Sequence, residues 1–473
     1  MGSQFSSVVA VVFACSMAAC GGGGSSSPAP SPSNRAPVLT PSATAVSVAE
    51  NSSGAVFTLS ASDPDGDPVS LTLTGDDAAF FAIGGGGAVT FKAPPNYDLF
   101  ADGNGDNSYS VVAQASDGRG GSARTSITVS VTNQREGIRV TRILTGLVDP
   151  VGIAGTLESD DEMAVGLENV TYVRFAGSRR AGDPAPASAL LFPVEYGVRR
   201  LLDFAWGGGG NFWSGPWALV QNSVGIHILR VNGISEGTVS LGANDAVEGR
   251  LFISNDNYAF ASLGDPDGNY AQATNNPEQN LGNLFHFEAY CGASVRAICA
   301  TELGLGVRQP GGFAQLDGNI LFADQGGSAE QEINLFAFDW GMKQLNFGWP
   351  FFEGTKRMRE GGPAELDTPV LAYPYGQERK AGTGIVMGAV YAGAIPGIAG
   401  HLVFADRNGS IFSIPKGEID GTATRGAAAI EWRTADFEPD AGTLDSVVEI
   451  AADKAGTLYI LDADGEVFRV DAG

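Results

Sequence analysis

Residues 304–355 read GLGVRQPGGFAQLDGNILFADQGGSAEQEINLFAFDWGMKQLNFGWPFFEGT. Two strand-like runs, 312–315 and 319–323, lie between glycine-rich turns. Glycines let the backbone approach a ligand closely and leave carbonyl oxygens exposed. Glu330, Glu332 and Asn334 follow, and carboxylates beside free carbonyls are what a hard cation such as calcium selects. The stretch therefore predicts a binding site carried by loops on a β scaffold.

The same residues resemble the glucose/sorbosone dehydrogenase family, soluble six-bladed β-propellers that use pyrroloquinoline quinone (PQQ) and calcium to oxidise sugars. The chain has VRQPGG at 307–312 where members have HRNPQG, and DQGG at 324–327 where they have EHGP. It has QEIN at 331–334 for DEIN and NFGWP at 346–350 for NYGWP. Further matches in family order extend the resemblance over nearly all of residues 139–473. The resemblance implies a six-bladed β-propeller over this region.

The resemblance also implies a set of ligand contacts. Arg308 stands at the family's quinone-contacting arginine, Gln309 replaces an asparagine, and Arg407 follows at a position where members offer basic residues. PQQ carries three carboxylates, which arginine binds in bidentate fashion. The backbone carbonyls of Gly326 and Gly327 fall where the family holds its active-site calcium. PQQ and calcium are thus the expected cofactors.

Sugar oxidation needs a base for the hydroxyl proton and an acceptor for the hydride. The family's histidine base aligns with Ala246, and Asp245 beside it is a weak substitute, because a solvated carboxylate has too low a pKa. The other motif histidines are Val307 and Gln325 here. The chain's three histidines each lie in an alternating run and are expected to be strand or core residues: His227, His286 and His401.

Composition supports an all-β chain of two or three domains. The 473 residues include 66 glycines and 24 prolines that separate short runs rich in β-branched and aromatic residues. A net charge of −25 argues against nucleic acid and anionic lipid surfaces, since phosphate binding needs basic stripes.

Residues 1–20 resemble a bacterial lipoprotein signal: an apolar run too short to span a membrane ends in small residues before Cys20, which would carry lipid. The segment before the apolar run has no Lys or Arg, and simple secretion is the alternative. Residues 21–36 read as a Gly/Ser/Pro linker. The expected location is the bacterial cell envelope, with membrane contact only through the lipid. In an exported chain Cys291 and Cys299 form a plausible disulfide, with free buried thiols as the alternative.

Residues 37–135 alternate as a compact all-β unit and resemble a cadherin-type β-sandwich. In such repeats acidic motifs meet at one end and hold calcium. By position, that resemblance implies five ligands: Glu50, Asp63, Asp65, Asp98 and Asp117. The alternative is that Asp and Gly simply form turns here.

Two functions follow from these observations. One is an exported, calcium-binding, PQQ-dependent sugar dehydrogenase that oxidises aldoses, although it lacks the family's histidine base. The other is a non-catalytic, calcium-dependent adhesion protein that binds cell-surface glycans or proteins. The sequence leaves both open, and with them the question of whether the chain is an enzyme.

Overall fold

The computed structural model describes residues 33–102, 104–156, 159–180, 182–191, 197–207, 213–223, 225–230, 239–240, 248–254, 256, 258–269, 281–289, 298–339 and 341–473.

The first eight strands form a β-sandwich. They are β1 (Val38–Pro41), β2 (Ala45–Ala49), β3 (Ala55–Ser62), β4 (Ser70–Thr74), β5 (Phe81–Ile83), β6 (Ala88–Phe91), β7 (Ser108–Ser116) and β8 (Ser122–Thr132). One sheet has the order β1-β3-β6-β5 and the other β2-β8-β7-β4. Short 3-10 helices cover Ala78–Phe80 and Gly85–Gly87.

The sandwich core follows from the two-residue period of its strands. In β7 every second side chain is buried, beginning with Tyr109 and Val111, and β8 contributes Ile127 and Val129. Polar side chains at the intervening positions face outward, so one face of each sheet packs on the other. The predicted sandwich is therefore present.

The remaining strands start directly after the sandwich. They are β9 (Ile138–Leu144), β10 (Pro150–Gly155), β11 (Glu162–Leu167), β12 (Thr171–Ala176), β13 (Ser188–Leu190), β14 (Arg200–Gly207), β15 (Gly215–Gln221), β16 (Ile226–Arg230), β17 (Val239–Ser240), β18 (Gly249–Ile253), β19 (Ala259–Leu263), β20 (Asn283–Ala289), β21 (Ile298–Leu305), β22 (Pro310–Leu316), β23 (Asn319–Asp324), β24 (Glu330–Phe336), β25 (Leu345–Asn346), β26 (Phe352–Glu353), β27 (Lys356–Arg357), β28 (Leu371–Pro374), β29 (Ile385–Val390), β30 (His401–Asp406), β31 (Ile411–Pro415), β32 (Glu431–Trp432), β33 (Val447–Ala452), β34 (Leu458–Asp462) and β35 (Val467–Ala472).

Six sheets make the second domain, and their pairings are antiparallel except that β25 pairs parallel with β21. Their orders are β10-β11-β12-β13, β14-β15-β16-β17, β18-β19-β20-β21-β25, β22-β23-β24-β28, β29-β30-β31-β32 and β33-β34-β35-β9. The β26–β27 hairpin and 3-10 helices at Pro396–Ile398, Lys416–Glu418 and Ala427–Ala429 lie between them.

The first strand of each sheet contacts the first strand of the next. β10 packs on β14, β14 on β18, β18 on β22, β22 on β29, β29 on β33, and β33 back on β10. Apolar side chains fill the spaces between neighbouring sheets, as where Phe260, Phe313, Phe322 and Phe347 meet. This arrangement is the predicted six-bladed β-propeller, and the predicted fold class, an all-β chain with a sandwich before the propeller, is confirmed.

The sixth sheet joins the two ends of the propeller region. β9, which directly follows the sandwich, pairs antiparallel with β35 from Arg142 opposite Phe468 to Ile138 opposite Ala472. The first strand of the region therefore completes the last blade.

In the described part of the chain, none of the helices has both the length and the apolar character that crossing a membrane requires.

Candidate functional site

All six first strands run in the same direction along the propeller axis, so their amino-terminal ends share one face. At that face a cavity of about 310 Å³ opens on the axis, and we call it the mouth. Its charged lining residues are Glu168, Arg200, Glu248, Arg250 and Arg407. The mouth is therefore a polar site assembled from several blades.

Glu248 and Arg407 form a two-point ion pair across the mouth. Arg407 Nη1 donates to Glu248 Oε1 at 2.9 Å, and Nη2 donates to Oε2. Burial favours the protonated acid, but the Arg407 guanidinium outweighs it and holds the pKa of Glu248 below its ordinary value. A carboxylate in that state is a poor acceptor for an alcohol proton.

Arg308 is held against blade four. An Asp324 carboxylate accepts the backbone N–H groups of Arg308 and Gln309 at 2.8 and 2.7 Å. Arg308 Nη1 donates to the Gln325 carbonyl at 3.1 Å, and its guanidinium lies 5.4 Å from the centre of the Trp349 ring. Its Nε is buried without a hydrogen-bond partner. Arg308 is thus held in place, and its Nε makes no hydrogen bond.

The three predicted cofactor residues do lie on one face. Gln309 hydrogen-bonds Glu248, which pairs with Arg407. The Arg407 side chain passes the Gly384 backbone beside the amide of Gln325, the residue whose carbonyl holds Arg308. The structure therefore brings Arg308, Gln309 and Arg407 to one site.

The carbonyl positions predicted for calcium lie beside this group. Gly326 donates its N–H to Gln331 at 3.2 Å. A Cβ added to Gly327 would lie 2.5 Å from Arg308 Nη2, so only glycine leaves room for that guanidinium. A cation at these carbonyls would meet the positive charge of Arg308.

Below the mouth, two carboxylates share one arginine. Arg250 Nη1 lies 3.6 Å from Asp203 Oδ1, and Glu449 Oε2 accepts the Ile153 N–H at 2.8 Å. Burial raises the pKa of Asp203 to about 6 and that of Glu449 to about 8, with Arg250 opposing both shifts. A Cβ on Gly152 would lie 2.8 Å from Asp203 Oδ1 and 3.0 Å from Glu449 Oε2. These groups separate the mouth from the other end of the axis.

Tested against PQQ, the described mouth fits one carboxylate better than three. Arg308 Nε is buried and lies 3.9 Å from Glu353 Oε1, so a cofactor carboxylate would have to displace that partner. Arg407 already binds Glu248 at both nitrogens, so it would have to exchange that partner for a cofactor carboxylate. Asp245, the weak candidate base, lies outside the described residues.

The three histidines of the chain lie in strands away from the mouth, as expected. His227 in β16 lies 3.0 Å from the Asn222 amide oxygen. His286 in β20 packs 4.2 Å from the Phe338 ring centre, and burial lowers its pKa to about 4. His401 in β30 contacts Ser413 and Glu431.

Trp349, Glu330 and Lys380 have structural roles. Trp349 is buried and its indole N–H donates to the Asp265 carbonyl at 2.7 Å. Glu330 accepts from the backbone and hydroxyl of Thr355, each at 2.8 Å. Lys380 donates to the Leu99 carbonyl of the sandwich at 2.7 Å, which places it at the domain junction instead of the mouth.

The five acidic residues predicted to hold calcium do not meet at one end of the sandwich, and calcium binding by the sandwich stays a prediction. Glu50 lies just before β3 and Asp63 just after it, so eight residues, about 26 Å of strand, separate them. Asp63, Asp65 and Asp117 surround the start of the sandwich, where Arg35 binds Asp65 and Asn34 binds Asp117. The strands carry successive acidic turns to opposite ends.

Asp98 lies at the other end, and the propeller supplies its counter-charge. Arg433 Nη1 donates to Asp98 at 2.5 Å, to Glu136 at 2.6 Å and to Asp436 at 3.1 Å. The oxygens of these three carboxylates lie within 4.8 Å of one another, as metal ligands would. Nη2 of Arg433 donates to Glu431 at 2.7 Å. A guanidinium thus stands among the carboxylates at the domain junction.

Two predicted features concern cysteines. Cys299 is disulfide-bonded. Cys291, its predicted partner, and Cys20, the predicted lipid carrier, lie outside the described residues.

Sequence reasoning missed Arg433, Asp203 and Glu449. Arg433 lies in the run EWRTADF, which carries no motif, and its two partners at the sandwich end, Asp98 and Glu136, are about 300 residues away. Asp203 and Glu449 were detectable as single acidic residues inside apolar strands, RLLDFAWG and VVEIAA. Such a charge in a buried strand signals a partner from another blade.

Comparisons with known proteins divide the chain in the same way. Residues 34–132 match the family model described as Bacterial Ig domain. None of the curated proteins compared matches the chain. The apo soluble aldose sugar dehydrogenase from Escherichia coli is 17% identical, with 71% of this chain and 100% of that chain covered and a TM-score of 0.49. The PQQ-bound aldose sugar dehydrogenase from Streptomyces coelicolor is 16% identical over 71% and 98%, with a TM-score of 0.46. Human protocadherin-24 EC1-2 is 22% identical over 30% and 61%, with a TM-score of 0.20. With these TM-scores below 0.5, the propeller assignment rests on the strand pairing, and the chain consists of a β-sandwich whose residues 34–132 match the Bacterial Ig domain model, followed by a β-propeller.

Proposed function

We propose that this chain is a non-catalytic binding protein of the bacterial cell envelope, whose propeller mouth takes a small carboxylate-bearing ligand. The observation that carries the proposal is the Glu248–Arg407 pair, in which the protein's own carboxylate occupies the arginine expected to bind a cofactor. Because Arg407 binds the carboxylate of Glu248, it can also bind the carboxylate of a ligand. A ligand carboxylate would exchange with Glu248 on Arg407, while Arg308 keeps its own partner Glu353, whose Oε1 lies 3.9 Å from Arg308 Nε.

The chemistry of the mouth favours binding over turnover. Glu248 is ionised and paired, and Arg250 and Arg308 add positive charge beside it. No histidine of the chain lines the mouth. The nearby carboxyls whose pKa burial raises, Asp324 to about 7 and Asp203 to about 6, are buried and accept backbone N–H groups, which leaves them poorly placed to abstract a hydroxyl proton. Electrostatic complementarity to an anion is what such a site supplies.

Lipid anchoring through Cys20 and calcium binding by the sandwich belong to the same proposal and stay predictions. An anchored sandwich would act as an arm that carries the propeller away from the membrane. Surface glycans or proteins would then be within reach of the mouth.

A PQQ-dependent aldose dehydrogenase is the second candidate. One observation favours it: Arg308, Gln309 and Arg407, chosen by resemblance, reach the same mouth. It requires a base from outside the described residues, with Asp245 as the candidate.

The experiment is calorimetric titration of the full chain with PQQ and with citrate, with and without calcium, followed by a dye-reduction assay on aldoses. We expect binding of at least one carboxylate without turnover, and at least a tenfold loss in Arg407→Gln. Arg425→Gln, which removes a surface arginine paired with Glu418, is the matched control. Turnover of an aldose would establish the second candidate, and absence of binding by both ligands would overturn the proposal.

A further inference from the structure

A second cavity lies on the propeller axis at the face opposite the mouth. We call it the axial cavity; its volume is about 270 Å³. The carboxyl-terminal halves of all six first strands line it, at 153–155, 204–206, 251–253, 313–315, 388–390 and 449–452. For scale, a dry cavity of about 150 Å³ holds a benzene molecule. The axial cavity therefore has room for a ring with a short side chain.

Most side chains that line the axial cavity are apolar and several are aromatic, while polar atoms make up about half of its accessible surface. Phe252 and Phe313 lie on adjacent blades with ring centres 5.8 Å apart and planes at 17°. Ala154, Ala389 and Ala451 are half-buried around the axis and leave the space open. Aromatic faces attract cations as well as apolar groups.

Glu449 is the one charged residue among those that line the axial cavity. Its Oε2 accepts the Ile153 N–H, and its carboxylate lies beside Asp203 and Arg250. Asp203 is 1% exposed, and its Oδ1 has no hydrogen-bond partner. The inner end of the axial cavity is therefore polar.

The charges at that end do not balance. Glu248 is matched by Arg407, which leaves Arg250 as the counter-charge for both Asp203 and Glu449. Two carboxylates and one guanidinium leave one negative charge, which either a proton or a bound cation can compensate. Asp256 at the rim, bonded to Gln315, and the net charge of −25 favour the approach of cations.

We propose that the axial cavity binds a small organic amine, with the ammonium group at Glu449 and an apolar or aromatic body against Phe252 and Phe313. The ammonium group supplies the second positive charge that Asp203 and Glu449 need beside Arg250. The cavity walls remove the apolar body from water. A neutral molecule of the same shape gains only the second interaction, and an anion is repelled. The site is separate from the mouth.

The test compares three ligands of one shape, benzylamine, benzyl alcohol and benzoate, by calorimetric titration of the full chain at pH 8. Benzylamine is expected to bind at least tenfold more tightly than benzyl alcohol, with no measurable binding of benzoate. The preference for benzylamine over benzyl alcohol should shrink at pH 6, because Glu449 is then protonated and has no negative charge to attract the ammonium group. Asp203, Arg250 and Glu248 remain around Glu449.

Two variants locate the site. Glu449→Gln should remove the amine preference, whereas Glu365→Gln, which removes a surface carboxylate 80% exposed, should leave it unchanged. Should Glu449→Gln fail to fold, Phe252→Leu keeps the cavity apolar and should weaken benzylamine severalfold more than benzyl alcohol. Equal affinity for amine and alcohol, no amine binding, or a preference that survives Glu449→Gln would each overturn the proposal.

Discussion

Arg433 Nη1 in the propeller lies 2.5 Å from Asp98 Oδ2 in the sandwich, and the two side chains are 2% and 0% exposed. This ion pair joins the domains at the point where the sandwich, if it bound calcium as predicted, would hold the metal ion. Phe100 and Trp432 pack beside it, with ring centres 6.0 Å apart. The joint between the two domains therefore contains a cation of the protein itself, the guanidinium of Arg433.

Loss of that cation should weaken the joint. Arg433→Ala leaves buried carboxylates unpaired, and breaking a buried ion pair costs about 3–5 kcal/mol. We expect a fall of that size in the free energy of unfolding, and a larger radius of gyration by small-angle scattering as the domains separate. Arg425→Gln is the control at an exposed pair. A wild-type protein whose scattering changes on chelation would contradict the assignment of Arg433 as the joint's cation.

Glu248 competes with external anions for Arg407. Glu248→Gln removes the internal carboxylate, so citrate or PQQ should bind about tenfold more tightly at low salt, less so at higher salt because the Debye length shortens. Glu168→Gln is the matched control, since it removes a charge from the same mouth but not from Arg407. Equal gains in both variants would mean that general charge, and not the pair, governs binding.

His286 makes stability depend on pH. Its side chain is 2% exposed, and burial lowers its pKa to about 4 from an ordinary value near 6.5. Between these values the unfolded chain binds the proton and the folded chain does not, so the free energy of unfolding falls as pH drops from about 6.5 to 4. The loss is up to about 3 kcal/mol.

Urea unfolding at several pH values measures this effect. His286→Phe keeps the packing on Phe338 and should flatten the curve between pH 6.5 and 4. The carboxylates common to both proteins supply the remaining slope. An unchanged slope in the variant would show that His286 does not carry the effect.

Gly388 tests the packing of the fifth blade. A Cβ at this position in β29 would lie 2.0 Å from the Val403 carbonyl oxygen and 3.2 Å from Ile450 Cβ. Gly388→Ala should lower the free energy of unfolding by about 1–3 kcal/mol, as overpacking does. Gly417→Ala meets no atom within 4 Å and is the control. Denaturant unfolding compares the two, and equal stabilities would mean that β29 shifts without cost.

The sequence predicted the fold well because its signals are local and repeated. Alternation in runs such as SYSVVAQAS places Tyr109, Val111 and Ala113 on one face, and the structure buries them. Family motifs brought Arg308 and Arg407 to one mouth. The alternation depends on neighbouring residues, and the family motifs depend on the order of the blades.

The parts that the sequence did not predict depend on distant partners. Acidic turns in the sandwich look alike in sequence, but successive strands carry them to opposite ends. Arg433 and Asp98 are 335 residues apart, so no local pattern joins them. The charge shared by Asp203, Arg250 and Glu449 comes from three blades, and only the assembled axis shows that one arginine serves two acids.

The pairing of β9 with β35 has a consequence for biosynthesis. Arg142 and Glu466, an ion pair within this sheet, are 324 residues apart, so the sixth blade waits until almost the whole chain has been made. The strand pairings of the sandwich, including that of β2 with β8, all close before the propeller strands begin, so the sandwich can fold while those strands are still emerging. Until the carboxyl terminus arrives, β9 presents an unpaired edge. A chain truncated shortly before its carboxyl terminus would therefore have a folded sandwich and an open propeller, which is a ready substrate for proteases.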